Sequence, residues 1–140
     1  MSAPIAFEDA TVGLQAPVVR HVLTRTDLVM YAGASGDFNP MHHDEVAAHA
    51  AGLPSVFGHG MFTAGLLATA ITDFVGPGRL RRYRVRFTSQ TWPGEELLTS
   101  VVIREVRPAH HEVVLECGVA NAEGESKVTG EAVARLRLRI

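Results

Sequence analysis

Gly36-Asp37-Phe38-Asn39-Pro40-Met41-His42-His43-Asp44 places a carboxylate, an amide, two imidazoles and a proline within one short stretch ahead of Asp44. Asp37 and His42 are the pair suited to general acid/base work, because a carboxylate and an imidazole can together accept a proton from water and deliver one to carbon. They lie in an irregular stretch and not on one helix face, so they converge on one water only if the backbone is held. Pro40 restricts both itself and Asn39, and Gly36 admits a backbone angle that other residues resist. The crowding is therefore what a preorganised water site needs. Asn39 is expected to orient the loop or a catalytic side chain by hydrogen bonding. An aspartate beside Gly and Asn-Pro can also simply bond its own backbone in a turn, and His43 is assigned no role.

A second locus is His59-Gly60-Met61, which opens an apolar run. Gly60, in the first turn of a buried helix, offers a free backbone N–H and the positive end of the helix dipole with no side chain to block a ligand. Asp37, His42, His43, Asp44, His49 and His59 supply metal-ligand types, but in no compact pattern such as H-E-x-x-H. No metal and no other cofactor is expected.

Several elements must position these residues. Val18 to Leu23 reads as a strand, followed by the capping signal Thr24-Arg25-Thr26-Asp27. Leu28, Val29 and Ala32 form a helical stripe that stops near Gly33 to Gly36. Asp44 to Ala51 reads as a second short helix, closed by Gly52 with Pro54 beyond. From Met61 to Val75 apolar residues cover the whole helical wheel, which predicts a wrapped core helix, ended by Gly76-Pro77-Gly78. Gly65 is expected to let this helix approach a sheet closely.

The remainder reads as strand. Tyr83, Val85 and Phe87 alternate with Arg82, Arg84 and Arg86 across Arg81 to Thr88. Pro93-Gly94 marks a turn, Leu97 to Val106 a strand, Pro108-Ala109-His110 a turn, Val113 to Ala120 a strand and Ala122 to Glu125 a turn. In the last strand Val128, Ala132, Ala134, Leu136, Leu138 and Ile140 share one face, with mostly charged residues on the other. This order predicts an α+β fold, with four consecutive strands joined by tight turns and a long antiparallel sheet curled around one buried helix.

The chain has 140 residues, 46% hydrophobic and 20% charged, values that suit one globular domain over residues 1–140 and exclude disordered and collagen-like classes. A formal charge of -2 gives no electrostatic reason for a nucleic-acid partner. Cys117 is the only cysteine, so no internal disulfide forms, which suits a reducing compartment. The opening residues lack a basic segment followed by an apolar run, and Met61 to Val75 is too short to span a bilayer, so a cytoplasmic protein without a membrane partner is expected.

The run Tyr31 to His42 (YAGASGDFNPMH) resembles the signature of the MaoC-like (R)-specific enoyl-CoA hydratases and (3R)-hydroxyacyl-ACP dehydratases. His59-Gly60-Met61 resembles that family's HGM at the start of its central helix. Val85-Arg86-Phe87-Thr88 with Pro93-Gly94-Glu95 resembles its strand and turn. The resemblance implies a hot-dog fold, an antiparallel sheet wrapped around a long central apolar helix. It also implies reversible hydration of trans-2-enoyl thioesters to (3R)-3-hydroxyacyl thioesters carried on CoA or ACP. Asp37 and His42 would then act through one water, the Gly60 N–H would bind the thioester oxygen, and Asn39, His59 and Met61 would bind substrate or support the site. A dimer is implied as well, either of identical chains or with a related hot-dog subunit.

Two other readings compete. A hot-dog acyl-CoA thioesterase would also seat a thioester over a helix N-terminus, but has no need of the whole Gly36 to His42 arrangement. A noncatalytic acyl-binding partner subunit would have no reason to keep Asp37, His42 and Gly60 together. Arg79, Arg81, Arg82, Arg84 and Arg86, with Arg104 and Arg107, could meet carrier phosphates or an acidic carrier protein, or form a solvated sheet face.

Overall fold

A computed structural model describes residues 2–140. Local sequence signals account for the helices. In α1 (Arg25–Ser35) the Asp27 N–H donates to the Thr24 hydroxyl at 3.1 Å while the Thr24 N–H donates to the Asp27 carboxylate at 2.8 Å, a reciprocal cap. Gly36 ends α1 in the left-handed region, with φ 74°. Leu28 and Ala32 are buried, but Val29, expected beside them, faces solvent. Asp44 caps α2 (Glu45–Ala50) by accepting the Val46 and Ala47 N–H groups. Next comes α3 (Gly60–Val75), the central helix.

Five strands form one antiparallel sheet: β1 (Arg20–Val22), β2 (Leu80–Phe87), β3 (Glu96–Arg107), β4 (Glu112–Asn121) and β5 (Ser126–Arg135), in the order β1-β3-β4-β5-β2. The strand order corrects the expectation of consecutive strands joined by tight turns. β3, β4 and β5 are successive hairpins, but β2 pairs with β5 at the far edge. Residues 88–95 therefore cross over the end of the β4–β5 hairpin, and Pro93-Gly94 is a turn inside this crossover. Lys127 pins it: its buried ammonium donates to the Gln90 carbonyl at 2.7 Å and to Glu95 at 3.0 Å, while its carbonyl accepts the Thr88 N–H at 2.9 Å.

α3 lies against β2, β3, β4 and β5, and its Leu67, Ile71 and Val75 are fully buried among Val101, Ile103, Leu115 and Ala132. Sheet and helix thus make the α+β arrangement expected. The Tyr83 hydroxyl on β2 donates to the Ala64 carbonyl of α3 at 2.7 Å, and burial pushes that phenol well above its ordinary value. The helix is not covered on every face, since Met61, Gly65, Thr69 and Asp73 form an exposed stripe four residues apart. Gly65 consequently does not serve close packing, because a Cβ there would meet nothing within 4 Å.

β5 also stops short of the expected strand. Leu136 is buried and donates its N–H to His111, but β4 begins at Glu112, so the sheet offers no inner partner beyond it. Arg137 instead bridges Ala6, and Leu138 and Ile140 are exposed. Among the described residues no helix is long and apolar enough to cross a membrane.

Candidate active site

After Gly36 the chain leaves α1 and turns on its own side chains. The Asn39 N–H donates to Asp37 Oδ1 at 3.3 Å, and the Met41 N–H donates to Asn39 Oδ1 at 3.1 Å, capping a short 3-10 turn over Pro40–His42. Asn39 therefore organises the loop, as expected. The turn carries His42 into the interior, 7% exposed, and leaves Asp37 open to solvent. His42 Nε2 lies 3.9 Å from Asp37 Oδ2, beyond direct hydrogen-bond range. His42 Nδ1 lies 2.7 Å from the Phe57 carbonyl. A carbonyl only accepts, so Nδ1 carries the hydrogen, and in the neutral ring the Nε2 lone pair is the one facing Asp37.

Asp37 thus makes the ordinary turn contact and also meets His42. His59 joins this loop to the central helix. Its Nε2 donates to the Asp37 carbonyl at 3.1 Å, across 22 residues of sequence, and its ring stacks on His42 with centroids 3.9 Å apart at 29°. The Tyr31 ring also packs against His59, with centroids 4.9 Å apart. Gly60 follows as the first residue of α3, so its N–H has no place in the helix ladder. A Cβ at Gly60 would lie 3.0–3.2 Å from the Phe87 ring. Met61 turns outward and is exposed, away from the other expected site residues. His43 reaches only the Phe38 carbonyl.

Asp37, His42 and His59 hold ligand-type atoms within 4.8 Å of one another, a proximity invisible in the linear spacing. Each imidazole places one nitrogen on a backbone carbonyl, which leaves one further nitrogen on each ring.

Beside Gly60 opens a cavity of about 310 Å³, walled by Phe57, Gly58, Thr63, Phe87, Thr91 and Val128 among others. Sequence reasoning did not single out Thr63 or Thr91. The signal for Thr63 was a hydroxyl in the first turn of a largely apolar run, one it shares with Thr69 and Thr72; Thr91 carried none. Lys127, also at this wall, is buried between Glu95 and Glu125.

The arginines of β2 occupy the opposite face of the sheet. Arg82, Arg84 and Arg86 alternate outward from Tyr83 and Val85, Arg84 sits opposite Glu131, and Glu131 pairs with Arg104. Arg107 pairs with Glu105.

Residues 10–124 match the family model of the MaoC like domain. The chain is 34% identical over 116 residues to a fatty acid synthase subunit beta of Aspergillus oryzae, covering 79% of this chain and only 6% of that protein's length. It is 28% identical to a 3-hydroxybutyryl-CoA dehydratase of Methylorubrum extorquens, covering 93% of this chain and 83% of that protein. The R-hydratase PhaJ1 structure from Pseudomonas aeruginosa superimposes with a TM-score of 0.86 at 28% identity, over 97% of this chain and 88% of the other. The five-stranded sheet around its helix is thus the hot-dog fold, and the chain belongs to the MaoC-like dehydratase family.

Proposed function

We propose that this protein reversibly hydrates trans-2-enoyl thioesters to (3R)-3-hydroxyacyl thioesters, with CoA or ACP as the carrier. The observation that carries the reading is the pairing of a buried His42, its Nε2 free and 3.9 Å from Asp37, with a neighbouring helix N-terminus at Gly60. His59 supports it by stacking on His42 while holding the Asp37 carbonyl.

In the hydration direction, water's oxygen bonds to C3 and the C2–C3 double bond breaks. The displaced electron pair moves through C2 onto the thioester oxygen. Asp37 and His42 together take one proton from the attacking water and return one to C2, so the pair ends as it began. The Gly60 N–H, aided by the positive end of α3, stabilises the oxyanion, an interaction worth about 3 kcal/mol in well-measured cases. The exposed position of Asp37 lets water and thioester reach the pair, while burial fixes the imidazole.

The active unit is a pair of such domains, with identical chains or with a related hot-dog subunit. The outer edge of β2 has no strand partner among the described residues, and Phe38 and Phe87 are exposed beside the site. Purified protein is expected to consume the enoyl absorbance of crotonyl-CoA or a longer trans-2-enoyl-CoA and yield the (3R) alcohol by chiral analysis. Release of free thiol without hydration would instead make it a thioesterase. Light scattering on the same sample should read a dimer, or a monomer that becomes active only with a related chain; a fully active monomer removes the pairing.

A further inference from the structure

Residues 88–91 of the crossover wall the cavity beside Gly60. Lys127 holds that strip at two points. Its carbonyl accepts the Thr88 N–H at 2.9 Å, and its ammonium donates to the Gln90 carbonyl at 2.7 Å, to Glu95 at 3.0 Å and to Glu125 at 2.5 Å. The side chain is 0% exposed, and all three ammonium donors are engaged by protein acceptors. Burying an ammonium costs free energy even when it is paired, and a strand beside a crossover needs no charge in order to pack. What three directed bonds add is a fixed position for the main chain at Gln90.

That position is handed on toward the acid/base pair. Beside Gln90, the Thr91 carbonyl accepts the Gly58 N–H at 2.8 Å. The strip and this loop lie so close that a Cβ at Gly58 would stand 2.2 Å from the Thr91 hydroxyl oxygen. Gly58 is flanked by Phe57, whose carbonyl takes the His42 Nδ1–H at 2.7 Å, and by His59, which stacks on His42 and precedes Gly60. A second route runs through rings. The Trp92 N–H donates to Glu95 at 2.7 Å, its indole meets the Phe57 ring with centroids 6.0 Å apart, and the Phe57 ring meets His42 at 4.9 Å. Three hydrogen bonds, Lys127 to Gln90, Gly58 to Thr91 and His42 to Phe57, thus link the ammonium to the imidazole through neighbouring peptide units.

We propose that Lys127 is a positioning residue for hydration: through the crossover strip and the Phe57-Gly58 loop it sets the orientation of the His42 imidazole and the place of the Gly60 N–H. The assignment rests on the hydratase reading given above. Lys127 meets none of the reacting atoms. It acts by holding the groups that do, at a site where a small displacement of the acid/base pair lowers the rate. The same ammonium also stabilises the fold, and the His42 Nδ1–H bond to Phe57 separates the two roles, because it reports the orientation of the ring directly.

Nuclear magnetic resonance of protein carrying isotope-labelled histidine reads the His42 Nδ1–H proton, and hydration of crotonyl-CoA is measured on the same samples. In Lys127→Met the resonance should move upfield and exchange faster with solvent, and kcat should fall about 10- to 100-fold, the scale on which a displacement of about 1 Å acts. Ile71→Ala weakens the core away from this chain of bonds and should leave both readouts in place. The double variant Lys127→Met/Glu95→Gln removes both charges of the pair, avoids leaving Glu95 without its cation, and should show the same two changes where the single variant does not fold. An unmoved resonance in a folded Lys127 variant overturns the proposal. So does a moved resonance with unchanged kcat, or an equal shift in Ile71→Ala, which would reduce the effect to lost stability. A resonance that moves in a protein whose wild type hydrates no enoyl thioester overturns the hydratase reading and leaves the link from Lys127 to His42 standing.

Discussion

The two ends of α3 contrast in how completely their groups are used. At the C-terminal end Ala70, Ile71 and Val75 are buried against the sheet, Thr69 and Thr72 bond back to the helix, and the Gly76 N–H closes on the Thr72 carbonyl. At the N-terminal end the Gly60 N–H lies outside the helix ladder, and His59 Nδ1 and the Thr63 hydroxyl lack partners among the described residues. His59 and Thr63 are as buried as Ile71 and Val75, so solvent access does not explain their unpaired groups, although Gly60 and Met61 themselves are exposed. The C-terminal end is packed for stability, whereas the N-terminal end carries buried polar groups whose missing partners cost stability.

The contrast can be broken from either side. The largest effect is expected at the N-terminal side, where Asp37→Asn or His42→Ala should lower hydration turnover by about 10²–10⁴-fold, the range for loss of a general acid/base. Asp37→Asn should leave the melting temperature close to wild type, because Asp37 is exposed and its turn contact survives as an amide. Turnover within a few-fold of wild type in both variants would detach the pair from the chemistry.

At the other end, Ile71→Ala should cost about 2–5 kcal/mol in denaturant unfolding, the range for a large-to-small change in a packed core. Turnover per folded molecule should hold. A loss of turnover without a loss of stability would show that the two ends are not separable.

A smaller effect sharpens the comparison at the cavity wall. Burial, the largest single influence on Glu95, pushes its carboxyl up, but the Asn121 amide, the Lys127 ammonium and the Trp92 N–H together hold it below its ordinary value. Its folded value lies below its unfolded one. The stability it confers is therefore complete above the ordinary carboxylate value and is lost as pH falls through the lowered one. Glu95→Gln should cost about 1–3 kcal/mol at neutral pH by depriving buried Lys127 of one of its two carboxylate acceptors, Glu125 being the other. It should also flatten the acid limb of stability against pH; an unchanged acid limb would mean that this carboxylate does not anchor the crossover.

Much of this molecule is legible without coordinates because the relevant forces act within a few residues. The Thr24–Asp27 cap, the left-handed Gly36, and the boundaries of α3, β3 and β4 follow from side chains that meet their own neighbouring backbone or from periodicity over one or two turns. Asp37, Asn39 and His42 were legible for the same reason, since Gly36 and Pro40 restrict the chain between them. Extrapolating such periodicity failed for Leu138 and Ile140, whose alternation continues past the last strand able to cover it. It failed again for Val29, where the helix stripe was one residue too wide.

What the sequence by itself determined are the caps, the turns, the strand and helix periods and the close approach of Asp37 and His42, all set by local backbone and side-chain chemistry. Only the tertiary structure decided that β2 crosses to β5, that Lys127 is buried beneath that crossover, and that His59 returns to Asp37 across 22 residues. The same holds for Thr63 and Thr91, brought to one cavity from a helix and a loop. Strand neighbours and burial depend on which apolar surfaces exclude water together, and that is a property of the whole packed chain rather than of any one segment.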